Sequence, residues 1–63
     1  LSDRELQVFE IIGKGQSTSE IAKALHLSPK TVETHRKRIK AKLGIETGAK
    51  LLIRAAQWVA TNA

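Results

Sequence analysis

Lys30, Arg36, Lys37, Arg38, Lys40 and Lys42 lie within one short stretch of this 63-residue chain, and Glu33 is the only acid among them. Elsewhere Lys and Arg are matched in number by Asp and Glu, so this stretch carries the whole formal net charge of +5. A cationic block of that density serves an anionic partner. Thr31, Thr34 and His35 stand among the bases.

Other chemistries lack their parts. There is no Cys, which excludes disulfides and thiolate zinc sites. His26 and His35 are too few to hold a metal without carboxylates at matching positions. Gly13-Lys14-Gly15 lacks the length and the Lys-Ser/Thr ending of a phosphate-binding loop and reads as a helix stop. No nucleophile–base pair is evident, so binding is expected, without catalysis or cofactor. The length suits one domain, residues 1–63, with a modest core and no room for a cleft between subdomains. No apolar run approaches the ~20 residues that span a bilayer. Without a signal peptide or initiator Met, the chain is expected to be the C-terminal piece of a longer cytoplasmic protein.

Gly and Pro divide the chain into four helical stretches, expected at about 3–13, 18–25, 29–43 and 48–60. Ser2 with Glu5, and Ser17 with Glu20, have the spacing of capping boxes. Ser28 suits an N-cap, Pro29 the first helical position, and Gly44 a left-handed stop. Thr47 can cap the last helix. The fold class is therefore all-α, a four-helix bundle. Its central pair, joined through His26, Leu27 and Ser28, reads as a helix-turn-helix, with His26 where a left-handed backbone is often needed. Ile21, Ala22, Leu25, Leu27 and Val32 have the spacing to pack that pair at a steep angle.

On the third helix, with Val32 at zero, Ile39 and Leu43 fall within about 20° and complete a buried stripe. Lys30, Thr34, Lys37 and Ala41 fall within about 40° of the opposite side, flanked by Glu33 and Arg38. His35, Arg36, Lys40 and Lys42 lie nearer the core boundary. The outer face is short, polar and basic, a shape that fits a major groove.

Ser17 to Ile45 contains Glu20-Ile21-Ala22, Leu25, Leu27-Ser28, Thr31-Val32 and His35, followed by Lys42-Leu43-Gly44. This stretch resembles the LuxR-type (NarL/FixJ-like) DNA-binding domain. Residues 1–9 are similar to that family's first helix and 48–56 to its last, so the resemblance covers essentially the whole chain. It implies a bacterial transcriptional regulator, of two-component response-regulator type, that binds double-stranded promoter DNA as a homodimer. An N-terminal receiver or ligand-sensing domain would precede it. It further implies base contacts from Glu33, Thr34 and Lys37. Phosphate contacts would come from Thr18, Ser19, Ser28, Lys30, Thr31, His35 and Arg38.

Glu33 has three readings: an ion pair with Lys37, acceptance from a cytosine amino group, or repulsion of phosphate. The ion pair is the simplest. His35 is expected to hydrogen-bond and pack at the core edge, leaving its other nitrogen for phosphate. Arg36, Lys40 and Lys42 are expected to reach phosphates or solvent. Leu6, apolar where the family is often polar, is read as extra core, with an interdomain contact as the second reading.

The last helix has two apolar arcs. Ala49, Leu52, Ile53, Ala56, Val59 and Ala60 are expected to face the core. Leu51, Ala55 and Trp58 are assigned to a symmetric interface between two copies. For Trp58 and Leu51, packing against the first helix to enlarge the core is the alternative to that assignment. Two rival functions carry less support: a sigma-factor-like region acting within RNA polymerase, and a helical protein-interaction module.

Overall fold

The computed structural model describes residues 1–62, which form four α-helices and no strands. These are α1 (Asp3–Gly13), α2 (Thr18–Leu25), α3 (Pro29–Leu43) and α4 (Gly48–Asn62). Only the end of α4 departs from the expected bounds, running on to Asn62 instead of stopping at Ala60.

Side chains start every helix. Ser2 Oγ accepts from the Glu5 N–H at 3.2 Å, while Glu5 Oε1 accepts from the Ser2 N–H at 2.8 Å. Ser17 and Glu20 repeat both bonds at the same distances. Ser28 Oγ accepts from the Thr31 N–H at 3.2 Å, and Thr47 Oγ1 from the Lys50 N–H at 3.1 Å. Each cap satisfies a donor that has no carbonyl within its own helix.

Three helix ends share one device. The amides of Gln16, Leu27 and Ile45 donate back to the carbonyls of Ile11, Ala22 and Lys40 at 3.4, 2.8 and 2.8 Å. The residue before each amide is left-handed: Gly15 (φ 87°), His26 (φ 56°) and Gly44 (φ 68°). This is the Schellman geometry. At His26 it costs about 1–2 kcal/mol that glycine would avoid. Folding the helix pair back at that point recovers it, because Leu27 is thereby placed against the core.

Val8, Phe9, Ile12, Ile21, Ala22, Val32, Ile39, Leu51 and Ala55 are buried and form one cluster. α1 lies at its centre and touches the other three helices. At the crossing with α4, a Cβ on Gly13 would stand 2.5 Å from the Ala55 carbonyl oxygen and 2.6 Å from Val59 Cγ2. Gly13 thus does more than help stop α1, the part expected of it. Its missing side chain lets two backbones approach.

Two expectations are corrected here. Leu6 is exposed, so it adds no core. On α4 the apolar arcs are exchanged except at Val59, which is half-buried against Gly13 as expected. Leu51 and Ala55 are completely buried within the monomer, and the Trp58 ring lies tilted on Phe9 at 5.8 Å between centroids. Leu52 and Ile53, 45 and 58% exposed, instead face outward with Ala49, Ala56 and Ala60. The cause is the Gly13 crossing, which brings α1 against Ala55 and Val59 and so selects the face of α4 that turns inward.

Gly13→Ala should destabilise the domain by about 1–3 kcal/mol in urea unfolding, because a backbone carbonyl blocks the added methyl. Leu51→Ala should cost about 2–5 kcal/mol, and Ile53→Ala should stay within about 0.5 kcal/mol for the monomer. The reverse order would restore the original assignment of the two arcs.

Candidate nucleic-acid interface

The candidate interface is built from the start of α2, the turn and the outer face of α3. On α3, Val32 and Ile39 are buried and Leu43 is partly buried, which anchors the helix and orients the rest. Lys30, Thr31, Glu33, Thr34, Lys37, Arg38 and Ala41 are exposed, while His35, Arg36 and Lys40 are half-buried. The wheel drawn from Val32 thus places the outer face where the structure has it.

The bases are not equally available. Lys42 turns away and meets Glu5 on α1, with Nζ 2.6 Å from Oε1. Glu5 is buried, and a carboxylate removed from water requires such a partner. Arg36 Nε lies 3.8 Å from Glu33 Oε1, and its side chain is only 20% exposed. Lys30, Lys37, Arg38 and Lys40 have no carboxylate within ion-pair distance among the described residues. Arg36 and Lys42, expected at phosphates or solvent, each meet a carboxylate of the same chain, while the Lys42 side chain also stays 52% exposed to solvent.

Glu33 also departs from its simplest reading. Its partner is Arg36 and not Lys37, and its Oε1 accepts the Thr18 hydroxyl at 2.7 Å. Thr18 opens α2, so the carboxylate is drawn toward α2 and away from the centre of the outer face. The spacing of Glu33 and Arg36 permitted the pair, but nothing in the sequence favoured it over Lys37. Nor could any local pattern join Glu5 to Lys42 across 37 positions.

The other predicted contacts are brought together. Thr18 and Ser19 form the first turn of α2, where backbone N–H groups lack partners within the helix. Ser28 and Thr31 bond to each other through their hydroxyls at 2.9 Å, at the exposed start of α3. Thr34 donates its hydroxyl to the Lys30 carbonyl at 3.1 Å, which leaves the oxygen as an acceptor. His35 packs at the core edge as expected, but its Nδ1 is buried without a hydrogen-bond partner.

A cleft of ≈ 460 Å³ separates the starts of α2 and α4, with Ser17, Thr18, Arg36, Gly48 and Leu52 in its walls. No cluster of His, Asp or Glu able to hold a metal ion occurs among the described residues. None of the described helices is long and apolar enough to cross a membrane.

A short capped helix, a turn through a left-handed residue and a longer helix with a basic outer face define a helix-turn-helix domain. Residues 1–55 match the family model described as bacterial regulatory proteins, luxR family, and the chain belongs to that family, whose helix-turn-helix domains serve DNA-binding transcription regulation. It is 49% identical over 51 residues to the response regulator UvrY of Escherichia coli (strain K12). Over 52 residues it is 46% identical to the transcriptional regulatory protein TdiR of Thauera aromatica and 44% to the oxygen regulatory protein NreC of Staphylococcus aureus (strain JH9). These matches cover 81 or 82% of this chain, which spans only about a quarter of each relative's length. No solved structure matches the chain.

The Glu5–Lys42 pair makes a pH prediction. Hydrogen bonds from Lys42 and from the Ser2 N–H lower the Glu5 pKa from 4.5 to about 2. Between those values the unfolded chain binds a proton that the folded chain does not. The stabilisation is therefore complete above pH 4.5 and is lost as pH falls toward about 2. Glu20, lowered mainly by the Ser17 N–H, acts in the same direction. Glu5→Gln should lower the thermal midpoint at neutral pH and flatten its decline through that acid range.

Proposed function

We propose that this chain is the DNA-binding output domain of a bacterial transcription regulator, with α3 in the major groove of duplex DNA. The observation that carries this reading is the exposed face of α3, where Lys30, Lys37 and Arg38 surround the small side chains of Thr34 and Ala41 with no carboxylate neutralising them. A helix with its side chains is about 10–12 Å across, and a major groove is about 12 Å wide. Small residues at the centre of the face allow close approach, and long cations at its margins reach the groove walls.

In this reading Thr34 and Lys37 contact base edges. Lys37 donates to guanine, while the Thr34 oxygen accepts from an amino group and its methyl suits a thymine methyl. Glu33 reaches a base only by giving up Thr18 and Arg36. Thr18 and Ser19 bind phosphate through the start of α2, where the helix dipole favours an anion. Ser28, Lys30, Thr31, His35 and Arg38 supply the remaining phosphate contacts.

Two copies meet through α4 in this proposal, using the outward arc of Ala49, Leu52, Ile53 and Ala56 in place of Leu51, Ala55 and Trp58. A two-fold axis there makes the interface self-complementary. Residues 1–63 act as one domain. In the full-length protein a receiver or ligand-sensing domain precedes it, as the lengths of the response-regulator relatives support. The protein works in the cytoplasm, without catalysis.

Duplex affinity should fall steeply with salt, log K decreasing by about 0.9 per logarithmic unit of salt for each phosphate neutralised. Lys37→Ala should cost about 1–3 kcal/mol on a duplex selected from a random pool and much less on mixed sequence. Lys30→Ala should weaken both equally. Equal losses from the two variants on both duplexes would remove base readout by Lys37, and a footprint without two-fold symmetry would remove the dimer.

A further inference from the structure

The contacts of Glu33 point to a role that neither an ion pair nor base readout describes. Its Oε1 occupies the Thr18 hydroxyl at 2.7 Å and stands 3.8 Å from Arg36 Nε. Both groups belong to the start of α2, one by sequence and the other by position. Arg36 is mostly buried, and its Nη2 reaches to 3.5 Å from where a Cβ on Gly48 would stand, at the first residue of α4. It lines the cleft between the starts of α2 and α4, two helix N-termini that each carry partial positive charge. Glu33 is the only carboxylate within ion-pair distance of it among the described residues.

Donors arranged in this way also suit a phosphate: a hydroxyl, a guanidinium and the unpartnered amides of a helix's first turn. Glu33 supplies the same chemistry from within the chain, an anionic oxygen bonded to the hydroxyl and facing the cation. Its side chain is 54% exposed, so it is free to leave. Arg36 is less so, with only 20% of its side chain exposed.

We propose that Glu33 is an internal competitor for one DNA phosphate, occupying the Thr18 hydroxyl and the Arg36 guanidinium until backbone phosphate displaces it. The inference rests on the DNA-binding reading above and adds a restraint to it. Because the competition concerns phosphate, it lowers affinity for every duplex by the same factor and leaves sequence preference unchanged. A domain whose charge is concentrated on one helix is thereby kept from binding DNA indiscriminately tightly.

Glu33→Gln keeps the shape and removes the charge. Binding would be measured by fluorescence anisotropy over a salt series, on a mixed-sequence duplex and on the duplex selected from a random pool. Both affinities should rise several-fold by the same factor, and the salt slope should steepen by up to about 0.9, the increment for one further neutralised phosphate. Thr18→Val tests locality through a double-mutant cycle. If phosphate takes the Thr18 hydroxyl, the gain from Glu33→Gln should shrink markedly when Thr18→Val is also present. An equal gain with and without Thr18→Val would reduce the effect to a general change of charge and overturn the proposal. A loss confined to the selected duplex would also overturn it, in favour of base readout. Salt-dependent binding by the unaltered chain, with no change in Glu33→Gln, would sink this inference and leave the DNA-binding reading standing. Failure of the unaltered chain to bind either duplex would sink both.

Discussion

The arrangement of this domain depends on the crossing of α1 and α4, where Gly13 lets one helix approach the backbone of the other. A side chain there would meet a carbonyl oxygen, and backbone cannot move aside as a flexible side chain can. Close approach fixes the rotation of α4 about its own axis, since only one face can lie against α1. It sends Leu51 and Ala55 inward and turns Leu52 and Ile53 out. α1 in turn supports the helix-turn-helix pair through Val8, Phe9 and Ile12 in the shared core. The position of the basic face of α3 and the apolar face left on α4 thus share one steric cause.

Charge is the second organising quantity, and its distribution matters more than its total. Two of the six bases on α3 pair with carboxylates of the same chain, Lys42 with Glu5 and Arg36 with Glu33. The first pair fastens the end of α3 to the start of α1, and it uses the same carboxylate oxygen that completes the Ser2 capping box. Sharing between a cap and an ion pair explains how a carboxylate can be buried in so small a core: its Oε1 meets both an N–H and an ammonium group. The outward bases are the ones left uncompensated, so the field of the domain is concentrated on one face.

The helix ends were legible because their chemistry is local. Ser2, Ser17, Ser28 and Thr47 cap through bonds spanning three residues, a spacing visible in any sequence. The stop at Gly44 was legible for the same reason, and His26 because the residues around it leave a turn no other place. The outer face of α3 could also be read, since a single apolar stripe of Val32, Ile39 and Leu43 leaves one possible inside. Resemblance to the LuxR-type domain extended that reading to an expectation of which positions meet DNA.

α4 marks the boundary of what periodicity can decide. It carries two neighbouring apolar arcs, together wider than the core can cover, and a helical wheel has no origin, so the pattern alone could not say which arc meets the core. Glu33 shows the same limit for charge. Lys37 and Arg36 were both within reach along the helix, and the Thr18 hydroxyl from α2 drew the carboxylate toward Arg36. By itself the sequence determined the four helices, their caps and the basic face, because these depend on residues a few positions apart. Tertiary structure alone decided which apolar arc is buried and which bases remain free. Those outcomes depend on contacts between residues far apart in the chain, and their geometry exists only once α1 has packed against α4.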